Sequence, residues 1–309
     1  MASSTSLFRK RTRRMKAHGT SKNLRDSKTL LVDTSPLIQW HELPPWQQDN
    51  HFILSGYRPQ SGSYCQSLES LKQVHNETVN IYSHLLGSVL FATLPIYICS
   101  QVYPRCTCAH LGDFLVFSIF FFGIVVCFFF SATFHILASH SEGVAALSNH
   151  LDYLGIVALM WGSTIPSIYY GFYDDSQLQR FYWSVVTILA ALCIVATLDR
   201  RFQQPSLRQY RVAIYSGLGL SAIVFIIHGL AIHGWETQNR RMSLSWMGLM
   251  GILNLTGAIV YATRVPERWY PKRYDICGSS HQILHFMVIF AGLAHMIGLL
   301  SAFEYVHRA

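Results

Sequence analysis

Seven continuous apolar segments, at about 79–99, 113–137, 151–172, 181–198, 212–233, 244–263 and 282–302, are separated by short polar stretches. Each approaches or exceeds the roughly 20 helical residues needed to cross a hydrocarbon core about 30 Å thick. Apolar and polar positions do not alternate with period two, so the runs read as helices and not as barrel strands. The predicted fold class is all-α, a seven-transmembrane-helix bundle. Ahead of the first span, residues 64–78 place Leu68, Leu71 and Val74 at helical spacing, which predicts a short amphipathic helix on the membrane surface. The chain then divides into a disordered basic tail (1–35), a pre-membrane segment (36–78), the transmembrane domain (79–302) and a short tail (303–309).

Composition agrees: 51% of residues are hydrophobic and 13% charged, against roughly 25% charged in an ordinary soluble domain. Charge adds an orientation. With the N-terminus in the cytoplasm, only Arg105, Arg180, Arg240, Arg241 and Arg308 of the 24 basic residues fall outside, a strong positive-inside bias. The C-terminus is then external or luminal. The net charge of +8 needs no nucleic-acid partner: the RKRTRR run at 9–14 reads as a solvated tail touching anionic lipid. Residues 1–16 also share the acid-free, Ser- and Arg-rich character of a transit peptide, but the expected location is the plasma membrane or endoplasmic reticulum. The seven cysteines are scattered, and Cys106 with Cys108 is a strained pair for a disulfide and a weak metal motif alone.

Candidate chemistry gathers on one side. His281 and His285 stand at i and i+4 where the seventh span begins, so both imidazoles project from one face. His135 closes the second span and Ser131 lies one turn from it; Asp152 opens the third. All of these ends face the N-terminal side. An H-x-x-x-H pair arises easily among 15 histidines; three that converge at one depth beside a carboxylate read as a metal site. His84, His228, His233 and His295 also sit in or near spans; His295 lies about 280° around its helix from His285 and faces elsewhere, and His228 and His233 read as core or interface residues. Three imidazoles with an open position describe catalytic zinc, Zn2+, whereas structural zinc usually has four protein ligands. Asp152 is then the acid–base group beside the metal's water, or orients a histidine. Ser131 is a candidate oxyanion donor, although a mid-helix serine commonly bonds its own backbone.

Several stretches carry a resemblance: LPPWQQDNHFILSGYRP (43–59), NETVNIYSHLLG (76–87), SATFH (131–135) with HSE (140–142), LDYLGI (151–156) and SSHQILH (279–285). Over about 40–302 the chain resembles the progestin and adipoQ receptor family, which includes adiponectin receptors, fungal regulators of zinc and sterol metabolism, and haemolysin-III-like proteins. It reads as a fungal-type member. The resemblance implies seven helices with a cytoplasmic N-terminus, a zinc on His135, His281 and His285, Asp152 near the zinc water, and ceramidase-like hydrolysis by a Ser, Asp and three-His hydrolase. It also implies an influence on lipid, sterol and zinc homeostasis.

Three functions follow as expectations. The first is a zinc amidohydrolase acting on a membrane lipid amide such as ceramide, with Gly162, Pro166, Gly217 and Gly219 either admitting acyl chains or simply packing helices closely. The second is a seven-span receptor for a small ligand in which zinc is structural; short outer loops argue against a large protein ligand. The third, zinc transport, lacks the polar path and midplane site that transporters use.

Overall fold

The computed structural model of the protein describes residues 36–101, 109–199 and 208–308. The basic tail, including RKRTRR and the transit-like stretch, lies outside the described residues, as do Cys106, Cys108, Arg200 and Arg201. The five cysteines among the described residues are free thiols.

After a short helix α1 (Tyr64–Glu69) come α2 (Thr78–Gln101), α3 (Leu111–Leu137), α4 (Glu142–Gly171), α5 (Ser176–Leu198), α6 (Arg208–Met242), α7 (Leu244–Thr263) and α8 (Ser280–Arg308). Seven of these are long and apolar enough to cross a membrane. Polar side chains mark the turns: Asp175 caps α5 by accepting from Gln177 N and Leu178 N at 3.0 and 2.9 Å, the usual work of an aspartate at an N-cap.

Three boundaries differ from the hydropathy reading. Helix α4 begins at Glu142, because SEGVAALSNH is helical yet too polar to register as a span. Helix α6 runs on to Met242 where a loop was expected, broken only at Gly234, whose φ of +72° suits glycine. Helix α8 continues to Arg308 in place of a tail from 303, because Phe303 is buried and His307 is pinned. The pre-membrane helix is shorter than its pattern suggested: α1 gives way to a 3-10 turn at Ser70–Lys72, and Leu68 and Val74 are exposed.

Helices α3 and α4 meet backbone to backbone. A Cβ on Gly123 would lie 2.5 Å from the Ala158 carbonyl oxygen, and one on Gly155 would lie 2.8 Å from Cys127 Cα. Gly162 belongs to the same contact, 2.9 Å from the Ile119 carbonyl, so it serves close packing and not a gap. A Cβ on Gly217, by contrast, meets nothing within 4 Å.

Residues 36–63 form a collar over one end of the bundle. Ile38 and Tyr57 pair their backbones. Asp275 accepts from Leu54 N at 3.2 Å and Ser55 Oγ at 2.6 Å. Glu267, fully buried, accepts from Asn50 Nδ2 at 3.0 Å and from Ser280 N at 2.8 Å, so it ties the collar to the start of α8. Arg58 donates to the His135 and Ile136 carbonyls at 2.6 and 3.0 Å and to Ser70 Oγ at 2.8 Å. It thereby satisfies carbonyls that the last turn of α3 leaves orphaned. Burial lowers the Arg58 pKa to about 10, which leaves the guanidinium charged.

The opposite end has its own polar knot. Buried Asp113, in the first turn of α3, accepts from Tyr170 OH and His307 Nε2, each at 2.9 Å, and from His110 N. Asp174 and Arg241 pair across the neighbouring connection.

Candidate metal centre

Two facts of helix geometry build the centre. The i, i+4 spacing sets His281 and His285 on one face of the first turns of α8, and His135 reaches them from the last turn of α3, where Arg58 holds the backbone. The three rings form a near-equilateral triangle, with centroids 4.9 Å (His135–His281), 5.0 Å (His135–His285) and 4.8 Å (His281–His285) apart. One nitrogen from each lies within 4.8 Å of the others. His135 and His285 are buried and His281 is half-buried.

The hydrogen bonds fix which nitrogens are free. His135 Nδ1 lies 2.7 Å from Glu77 Oε2; a carboxylate accepts, so Nδ1 carries the proton. Its Nε2 is then a lone pair, and it is buried with no partner. Ser83 donates its one hydroxyl proton to the Asn80 carbonyl at 3.1 Å, so its oxygen accepts from His285 Nδ1 at 3.1 Å. Nε2 of His285 is likewise the ligand atom. A buried lone pair without a donor is costly unless something accepts it, and a metal cation does so. The residues present fit a divalent metal: neutral imidazoles whose second nitrogens are held by a carboxylate and a hydroxyl are the usual outer arrangement of histidine sites.

Glu77 was not singled out from the sequence. Asn80 Nδ2 holds it, donating to Oε2 at 2.7 Å, and Asn76 Nδ2 donates more weakly to Oε1 at 3.4 Å. Its one sequence signal was its place in NETVNIYSHLLG, the stretch that also supplies Asn80, Ser83 and His84. His84 lies parallel to His285, centroids 3.6 Å apart at 7°, with Phe128 on its other face at 4.6 Å. Two rings so stacked cannot aim in-plane lone pairs at one ion, so His84 packs on a ligand and does not join the set. The other histidines lie elsewhere: His295 Nε2 meets the Ser163 carbonyl at 3.0 Å, His228 meets Tyr182 OH at 2.6 Å, and His233 meets Gln238 at 3.1 Å.

Asp152 stands in the third turn of α4, half-buried, with the Ser131 side chain close to its carboxylate. Its charge acts on His135, yet it is not among the groups that share ligand distance. The structure thus brings Ser131, Asp152 and the three histidines to one end of the bundle, with the carboxylate beside the triad.

The residue pattern that defines the haemolysin-III-related family matches residues 72–296. The chain belongs to this family. It is 42% identical over 263 residues to the "Adiponectin receptor protein" of Drosophila melanogaster, covering 85% of this chain and 59% of that one. It is 37% identical over 271 residues to the "ADIPOR-like receptor IZH2" of Saccharomyces cerevisiae, covering 88% and 85%. A third relative, "ADIPOR-like receptor IZH1" of Eremothecium gossypii, is 31% identical over 294 residues, covering 94% and 90%. The chain therefore spans under two thirds of the Drosophila protein's length and most of the two fungal ones. As a family member it is an integral, multi-pass, adiponectin-receptor-like membrane protein, and its buried histidine triad could hold a metal ion.

Proposed function

We propose that the protein is a zinc-dependent lipid amidohydrolase, ceramidase-like, working in the inner leaflet of the plasma membrane or endoplasmic reticulum with its N-terminus cytoplasmic. The observation that carries the reading is the buried, unpartnered Nε2 of His135, set by a carboxylate on its Nδ1. When bound, zinc on His135, His281 and His285 supplies Lewis acidity and makes a water a better nucleophile near neutral pH. Three protein ligands leave a position open, as catalytic zinc sites do.

The remaining steps belong to the chain. Asp152 takes the proton of the attacking water and returns it to the amide nitrogen as the C–N bond breaks, giving a fatty acid and an amine. Ser131 holds the Asp152 carboxylate in place. Once Asp152 carries the proton it becomes the donor of that pair, which frees the Ser131 hydroxyl to face the oxyanion. Hydrolysis of this kind would alter membrane lipid and, indirectly, sterol and zinc balance.

The relatives' names favour a second reading, a receptor for a small ligand with a structural metal. Asp152→Asn separates the two. If Asp152 moves the proton, the variant keeps its zinc and loses about 10²- to 10⁴-fold of its ceramide turnover. Unchanged turnover with zinc in place removes Asp152 from the chemistry. Wild-type protein that holds zinc and hydrolyses no ceramide supports the receptor.

A further inference from the structure

A polar cavity of about 230 Å³ opens beneath the collar and reaches the metal centre at His281. Asp49 and Arg264 stand at its mouth, 3.5 Å apart, with the Asp49 side chain 79% exposed. Glu77, Asn80 and His281 line its inner end. Those three are the outer partner of one histidine ligand, the residue that fixes that partner, and the least buried ligand of the triad. Gln47 lines the same cavity, and its Oε1 and the Asn80 Oδ1 are both buried without a hydrogen-bond partner. Asn80 itself is only 4% exposed. Both residues line the cavity together with Glu77, and acceptors buried without donors call for a cation or an ordered water.

We infer that this vestibule is the loading path for a divalent cation of the zinc class, which is passed from Asp49 at the mouth, past Gln47, Glu77 and Asn80, to His281 and then into the triad. The inference rests on the triad being a metal site and adds how the ion arrives. The collar blocks the direct way in, since Arg58, Asn50 and the Glu267 knot close the bundle end around it. Oxygen donors suit a waypoint because they bind such an ion more weakly than three imidazoles do, so transfer runs inward. Arg264 opposes a cation at the mouth, and Asp49 neutralises it; the pair sets the local field.

The full-length protein, stripped with chelator in detergent at low salt, can be reloaded with Co2+ and followed by the visible absorption of the ion in a histidine site. Reversing the mouth charge with Asp49→Lys should slow loading about tenfold or more, since a charged entrance changes association rates by 10- to 10³-fold. Arg264→Gln should speed it, and both differences should shrink at high salt. Glu236→Lys, an exposed reversal at the opposite end of the bundle, should leave loading unchanged. Equal rates for wild type, Asp49→Lys and Arg264→Gln overturn the path, as does slowing by Glu236→Lys as large as that by Asp49→Lys. Loading at altered rates with no spectral change keeps the triad intact. A wild-type protein that takes up no Co2+ would instead remove the metal site, and this inference with it.

Discussion

Glu77 does at the scale of one residue what the triad cannot do alone: it selects the tautomer of His135. An amide in its place keeps the shape but can offer its NH2 group to Nδ1, which would leave the proton on Nε2, the wrong nitrogen. Glu77→Gln should therefore weaken zinc binding about 10- to 100-fold, the range for outer partners of metal-bound histidines, while the protein stays folded. Chelator competition on the purified protein measures it, and Glu77→Asp should recover part of the loss. Unchanged affinity in Glu77→Gln would show that the tautomer is set elsewhere. The triad itself was legible in the sequence, because i, i+4 spacing and a shared membrane face are periodic properties. Glu77 was not, because its partner lies 58 positions away and it precedes the span, where no period reports on it. His84 reads from the sequence only as a histidine within a span, and its face-to-face packing on a ligand is visible only once α2 and α8 are placed together.

At the scale of elements, two predictions concern how the centre is braced. His75 sits fully buried just before α2, next to Asn76, whose N–H donates to the collar at the Gly56 carbonyl; its Nδ1 accepts from Glu77 N at 3.1 Å and its Nε2 is without a partner. Burial, with Arg58 nearby, lowers its pKa from 6.5 to about 4. A histidine depressed in the folded state binds its proton more readily when unfolded, so the collar should lose stability as pH falls from about 6.5 toward 4 and be fully stable above that window. Hydrogen exchange of residues 36–76 across that range reads it, and His75→Gln should flatten the dependence. The α3–α4 seam gives the second. Gly155→Val pushes a side chain into the α3 backbone at Cys127 and should destabilise the protein by about 1–3 kcal/mol, displacing Asp152 from Ser131. Gly217→Ala, which meets nothing, should sit within about 0.5 kcal/mol of wild type. Thermal or denaturant unfolding in detergent compares them, and equal effects would deny the seam its role. Hydropathy found all seven spans here but missed the polar first turns of α4 and the last turns of α6 and α8. Helical hydrogen bonding continues there after apolar character ends.

At the scale of the molecule, orientation is the open quantity with the sharpest test. If the basic residues are retained on the cytoplasmic side, a glycosylation acceptor added at the C-terminus should be modified and one added at the N-terminus should stay bare, whether the protein resides in the plasma membrane or the endoplasmic reticulum. The reverse result would move the triad and its vestibule to the other leaflet. Whichever way the bundle faces, α3 and α8 are fastened together twice. Asp113 holds His307 where α3 begins and α8 ends, and His135 meets His281 and His285 where α3 ends and α8 begins. From His285 to His307, α8 spans about 33 Å at 1.5 Å per residue. A strut anchored at both ends transmits displacement: slipping α8 by even part of its 5.4 Å pitch would break the far knot and spread the three nitrogens in one motion. The two surfaces of the membrane are thereby in mechanical communication through a single helix, with no need for a cavity that crosses it.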